Sequence, residues 1–197
     1  SDAVPPALTS LPAPLRSRLN VVHQAREEDV ARVTAAYADA GIAAEVAPFF
    51  RDLPARMAAS HLVVSRAGAS SVAELTVIGR PSILVPLPHS LDNDQLQNAT
   101  KLAESGGAWC IEQKDLGPER LAAQIARLME SGAALAAAAG CAKGQGRPDA
   151  VGRLAGGKDG QASHLPGLIG NAGEAPACAD ARSRRCRASR TLDRFIQ

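Results

Sequence analysis

The chain has 197 residues with 22 Lys and Arg against 20 Asp and Glu, and a formal charge of +2 gives no electrostatic ground for a nucleic-acid or acidic-substrate partner. Hydrophobic residues make up 46% and aromatic residues only 3%, so the core has to be built from Ala, Val, Leu and Ile. No run approaches the roughly 18 apolar residues of a membrane span, and the first residues lack the basic-then-apolar order of a secretory signal, which points to a soluble cytoplasmic chain.

In chain order, Leu19-Asn20-Val21-Val22-His23 is the first predicted strand, and Glu27 to Ala40 is an amphipathic helix stopped by Gly41. A second strand covers Ala44 to Phe50, followed by a short helix over Pro54–Ser60 and the strand Leu62-Val63-Val64-Ser65. A Gly-containing turn then leads into a helix from Ser71 to Ile78, and the strand Ser82-Ile83-Leu84-Val85 follows. The pattern repeats with a helix from about Asp92 to Glu104, the strand Ala108-Trp109-Cys110-Ile111, and Ala-rich helices from Pro118 towards Leu154. Short apolar strands alternating with helices imply a parallel sheet covered on both faces, a Rossmann-like α/β lobe.

From Gly156 onward the hydrophobic periodicity lapses into Gly, Ala, Pro, Ser and Arg. Residues 1–155 hold 15 basic and 16 acidic side chains, whereas residues 156–197 hold 7 and 4, so the excess positive charge lies in the tail. Such a composition buries too little apolar surface to order itself, and the expectation is a lobe over 1–155 and a disordered tail over 156–197. The Arg-rich run from Arg182 to Arg187 suits a solvated tail better than a nucleic-acid or lipid contact. Cys110, Cys141, Cys178 and Cys186 have neither C-x-x-C spacing nor His partners at zinc-ligand spacing, and read as incidental thiols.

Ligands of parallel sheets bind beyond the carboxyl ends of the strands, so three turns are the candidate sites. The first is Ser65-Arg66-Ala67-Gly68-Ala69-Ser70-Ser71-Val72-Ala73-Glu74, whose small residues would let a phosphate reach a helix N-terminus. Ser71 to Glu74 equally fits the S-x-x-E capping box, in which both side chains only satisfy helix-end donors. The second turn, Pro86 to Asn98, carries enough hydrogen-bonding side chains to read a sugar, with Asp92 as an N-cap and Gln95 near N3 as the alternative. Asp92-Asn93-Asp94 has the look of a D-x-D metal clamp, a pattern common by chance, and no metal is expected. The third turn follows Phe49-Phe50, where an aromatic ring either caps a planar base or packs on the next helix.

Taken together, Ser65 to Leu75, Gly79-Arg80-Pro81, Val85-Pro86, His89, Asp92-Asn93, Gln95 and Asn98-Ala99 closely resemble the C-terminal half of the MurG family. That family transfers N-acetylglucosamine from UDP-N-acetylglucosamine to the lipid-linked muramoyl-pentapeptide precursor of peptidoglycan. The resemblance runs from about Val4 to Leu154 and is specific because several turns match in order and spacing. It implies an inverting, metal-independent transfer with no cofactor, on a two-lobed GT-B fold peripheral to the cytoplasmic face of the membrane. It also implies that the backbone of Phe50 meets the uracil, that Ala69, Ser70, Ser71, Val72 and Ala73 lie at the nucleotide, that Glu74 accepts from the ribose hydroxyls, and that Gln95 contacts the sugar.

The resemblance begins downstream of the family's Gly-Gly-Ser-type phosphate loop. The catalytic base and the acceptor face are therefore expected in an N-terminal lobe outside this sequence, and no catalytic residue is assigned within it. Position 94 is Asp where family members often carry a more neutral side chain. Two other readings stay open: a different two-lobed enzyme, such as a UDP-N-acetylglucosamine epimerase or a glycolipid glucosyltransferase, and a non-catalytic nucleotide-sugar-binding or partner-binding fragment.

Overall fold

The computed structural model describes residues 1–90, 93–145 and 193–196. The chain opens on two short helices, α1 (Val4–Thr9) and α2 (Ala13–Arg16), each with Pro in its first turn, where the missing N–H costs nothing. There follow β1 (Leu19–Gln24), α3 (Glu27–Asp39), β2 (Ala43–Ala47), α4 (Leu53–Ala59), β3 (Leu62–Ser65), α5 (Ala69–Ile78) and β4 (Ser82–Leu84). Then come α6 (Asp94–Glu104), β5 (Ala108–Cys110), a 3-10 turn (Gln113–Asp115), α7 (Pro118–Glu130), α8 (Gly132–Gln145) and β6 (Asp193–Ile196).

The six strands form one sheet in the order β2-β1-β6-β3-β4-β5, and every pairing is parallel. Parallel strands have to be covered on both faces, and β3 and β4 accordingly carry buried residues from end to end except Ser65. On one face α1, α3 and α7 close a core of Leu8, Leu19, Val21, Val33, Ile83, Leu121 and Ile125. On the other α4, α5 and α6 pack side by side over Met57, Val63, Val72, Leu75, Leu84 and Leu102. With each large aliphatic side chain worth about 1.5–3 kcal/mol when fully buried, the two clusters hold the sheet between its helix layers. Helix α8 crosses from α7 to α5, tying the two layers together.

The alternation of strands and helices expected from sequence is present, with shifts at the ends. Strand β2 stops at Ala47 because Pro48 supplies no N–H to a ladder, which leaves Phe49 and Phe50 in the connection to α4 rather than in the strand. Helices α1 and α2 lie in a Pro-rich stretch that gives no helical period.

The largest difference concerns the tail. Most of residues 156–197, including the boundary at Gly156, Cys178 and Cys186, lie outside the described residues, but Asp193–Ile196 form β6 in the middle of the sheet. There Val21 and Val22 of β1 register with Phe195 and Ile196, and Leu62 and Val63 of β3 with the same pair from the other side. Two facing strand edges with unpaired N–H and C=O groups between two apolar layers leave a slot, and the Arg-Phe-Ile segment fills it despite the composition around it.

Candidate functional site

At the carboxyl edge of the sheet the starts of α4, α5 and α6 lie in one layer, with α5 packed against both neighbours. This layer brings together the three turns singled out in the sequence. The side-chain amide of Asn98 on α6 donates to the Ala67 carbonyl at 3.2 Å, pinning the β3–α5 turn directly to α6.

Helix α5 begins at Ala69, two residues ahead of the sequence expectation, with Gly68 in the extended N-cap position and no side-chain cap. The capping-box reading therefore does not hold, since Ser71 is the third residue of the helix and Glu74 lies a full turn beyond the start. The first helical bond at this end runs from Val72 N–H to the Gly68 carbonyl, 3.0 Å, so the N–H groups of Ala69, Ser70 and Ser71 have no intrahelical acceptor. Ala69, Ser70, Ala73 and Glu74 are exposed while Val72 and Leu75 are buried, so the helix shows solvent a face of small side chains beside one carboxylate. That carboxylate has no hydrogen-bond or ion-pair partner among the described residues. Val72, one of the expected contact residues, turns its side chain into the core and offers a ligand nothing beyond backbone.

Between β4 and α6 the chain makes a turn in which His89 and Asn93 adopt left-handed conformations, with φ of 60° and 53°. Each costs a residue bearing a Cβ about 1 kcal/mol, and such strain is found where surrounding contacts over-determine a loop. The contacts are visible here. Gln95 Oε1 accepts from Leu87 N–H at 3.0 Å, and the Gln95 N–H reaches Ser90 Oγ at 3.4 Å and Asp94 Oδ1 at 2.7 Å. Because a backbone N–H can only donate, the Leu87 bond fixes which end of the Gln95 amide is oxygen, and its NH2 group is left for other partners. Asp92, considered as an N-cap, lies outside the described residues; Asn93 holds the N-cap position and makes no side-chain cap.

Phe50 is buried, and its ring lies under the Arg56 guanidinium, 4.5 Å from the Arg56 Cζ. Arg56 is held in turn by Glu45 at 2.6 Å and Asp52 at 2.8 Å. The Phe50 ring is thus committed to packing, whereas Phe49 beside it is 69% exposed. Next to the α5 start, the carboxyl ends of β1, β3 and β4 border a cleft of about 480 Å³ lined by Gln24, Arg26, Ser65, Arg66, Val85 and Gln113. Of the candidate turns only Ser65 and Arg66 line it; Phe50, Ala69 to Glu74 and Gln95 do not. Among the described residues no group of His, Cys, Asp and Glu is arranged to hold a metal ion.

Sequence reading identified the turns but not the ties between them. Arg66 reaches Gln113 Oε1 at 2.7 Å and the carbonyls of Val85 and Pro86 at 3.3 and 3.5 Å, linking residues up to 47 positions apart that no local pattern connects.

One parallel sheet covered by helices on both faces thus carries along its carboxyl edge a small-residue helix start, a carboxylate without a partner among the described residues and an oriented carboxamide. The glycosyltransferase family 28 C-terminal domain matches residues 2–154, and the chain belongs to that family. Within it the resemblance is to MurG. The UDP-N-acetylglucosamine–N-acetylmuramyl-(pentapeptide) pyrophosphoryl-undecaprenol N-acetylglucosamine transferase of Methylobacterium nodulans is 61% identical over 156 residues, 79% of this chain and 42% of the relative. The transferase of the same name from Mesorhizobium japonicum is 55% identical over 155 residues, 79% of this chain and 41% of the relative. The crystal structure of Acinetobacter baumannii MurG superposes with a TM-score of 0.67 at 33% identity, over 76% of this chain and 44% of that one. The chain spans about two fifths of the length of the curated relatives it matches.

Proposed function

We propose that this chain is the donor-binding lobe of an inverting transferase that moves N-acetylglucosamine from UDP-N-acetylglucosamine to a lipid-linked muramoyl-pentapeptide acceptor, converting lipid I to lipid II. The observation that carries the reading is the start of α5, where the exposed Glu74 carboxylate, without a partner among the described residues, stands one turn from three N–H groups that have no intrahelical acceptor. A carboxylate accepts two hydrogen bonds from a vicinal diol, which suits a ribose. Free N–H groups at the positive end of a helix stabilise the charge that grows on a departing nucleoside diphosphate, without a metal.

In this reading Ala69, Ser70, Ser71, Val72 and Ala73 lie along the nucleotide, the backbone of Phe50 meets the uracil beside Phe49, and the Gln95 NH2 donates to the sugar. The lipid-linked acceptor is met through another lobe, which also supplies the base, at the cytoplasmic face of the membrane. No helix among the described residues is long and apolar enough to cross a membrane.

The share of the relatives that the chain spans favours binding without turnover by the chain alone. Calorimetric titration with UDP-N-acetylglucosamine, together with a transfer assay on the lipid-linked acceptor, tests both parts. Binding without transfer is expected. No binding overturns the donor-lobe reading, and transfer by the pure chain overturns the assignment of the base to another lobe.

A further inference from the structure

Four contacts at the carboxyl edge form one continuous path. Gln113 on the 3-10 turn accepts from Arg66 Nη1 at 2.7 Å; the same nitrogen approaches the carbonyls of Val85 and Pro86 at 3.3 and 3.5 Å; and the next residue, Leu87, donates its N–H to Gln95 Oε1 at 3.0 Å. Pro86 is buried and Leu87 is exposed, so the chain leaves the core between them. The peptide that carries the Leu87 N–H includes the Pro86 carbonyl. A guanidinium drawn to that carbonyl and to Val85 therefore sets the tilt of the group that orients Gln95. The loop also contains the left-handed residues His89 and Asn93, and so needs an external tie to keep one conformation.

We propose that Arg66 is a positioning residue for sugar recognition, acting through the Val85–Leu87 backbone to hold the Gln95 carboxamide with its NH2 group facing the donor sugar. The role belongs to Arg rather than Lys. All three acceptors share the two N–H groups of one Nη1, which the planar guanidinium, anchored by its short bond to Gln113, holds in a fixed direction, while the donors of an ammonium rotate freely on a flexible stem. The α5 start is tied to α6 separately, through Asn98 and Ala67. Loss of Arg66 therefore separates sugar affinity from nucleotide affinity. This inference rests on the donor-lobe reading for its affinity part alone, because the Leu87–Gln95 bond is a contact within the chain.

The test uses the full chain as wild type, Arg66→Ala, Gln95→Ala and the double variant, titrated with UDP and with UDP-N-acetylglucosamine, and followed by amide hydrogen exchange at Leu87. Arg66→Ala should weaken UDP-N-acetylglucosamine by about fivefold to tenfold, the effect of one lost hydrogen bond, and leave UDP within about twofold. In the Gln95→Ala background the same change should cost nothing further, the mark of one residue acting through another. Exchange at Leu87 should quicken in Arg66→Ala. Equal losses for both ligands, a full loss persisting without Gln95, or unchanged Leu87 exchange would each overturn the proposal. Should wild type bind neither ligand, the donor-lobe reading fails and the Leu87 exchange alone decides the positioning. Should Arg66→Ala not fold, Gln113→Ala removes the partner of the shortest contact and is expected to show the same split in smaller measure; an even loss would count against the proposal.

Discussion

His23 on β1 is fully buried, its Nδ1 lies 2.9 Å from the Tyr37 hydroxyl, and its Nε2 has no hydrogen-bond partner among the described residues. Burial, reinforced by the positive N-terminus, lowers its pKa from 6.5 to about 4. The native state thus resists a proton that the unfolded chain takes up below about pH 6.5. Stability is full above that value, falls as pH drops from about 6.5 to about 4, and levels off below, for a total of up to about 3 kcal/mol. Thermal unfolding between pH 7.5 and pH 4.5 should show this slope, and His23→Gln, which cannot titrate, should flatten it. An equal slope in the variant would assign the acid sensitivity elsewhere. At the carboxyl edge of the sheet, Glu74 is the counterpart of His23: an exposed ionisable side chain with no partner among the described residues. Glu74→Gln is expected to weaken UDP binding by about 1–3 kcal/mol, as for a lost charged acceptor, while leaving the melting temperature nearly unchanged. A loss of stability with unchanged affinity would instead mean that the side chain serves the helix.

At the scale of elements, α5 is defined at its ends by backbone rather than by side chains. Gly79 closes it in the left-handed conformation at φ 73°, donating to the Leu75 carbonyl at 2.9 Å, and a Cβ there would lie 2.8 Å from Lys143 Cβ on α8. Gly79→Ala is therefore expected to cost about 1–2 kcal/mol through the conformational penalty and the α8 contact together, read as a lowered denaturant midpoint. An unchanged midpoint would show that the end of α5 can be rebuilt. The strands and most helices were legible because apolar runs, Pro118 and the stop at Gly41 punctuate them locally. The start of α5 was misjudged by two residues because Ser71 and Glu74 mimic a capping box, while the extended Gly68 that begins the helix carries no side-chain signal. Helices α1 and α2 were hidden by prolines that mark helix starts as well as loops. The Arg66–Gln113 and Asn98–Ala67 ties were beyond sequence reading, since each joins different elements and depends on the packing of the layer.

The whole molecule depends on a pairing that no periodicity announces. Strand β6 inserts Asp193–Ile196 between β1 and β3, so the sheet is continuous only with that pairing in place. Removing residues 193–197 should leave two unpaired edges in the middle of the sheet and cost at least about 2 kcal/mol, since several backbone hydrogen bonds at about 0.5–1.5 kcal/mol each are lost. A melting temperature equal to that of the full chain would show that the slot needs no strand. The same sheet presents two candidate surfaces along its carboxyl edge: the open helix starts with Glu74 and Gln95, and the neighbouring cleft with Gln24 and Arg26. Amide chemical-shift mapping during a UDP-N-acetylglucosamine titration distinguishes them directly. The expected result is a set of shifts confined to Phe50, Ala69 to Glu74 and the first turn of α6 around Gln95. Shifts centred on Gln24 and Arg26, or none at saturating ligand, would contradict the assignment of the donor to the start of α5.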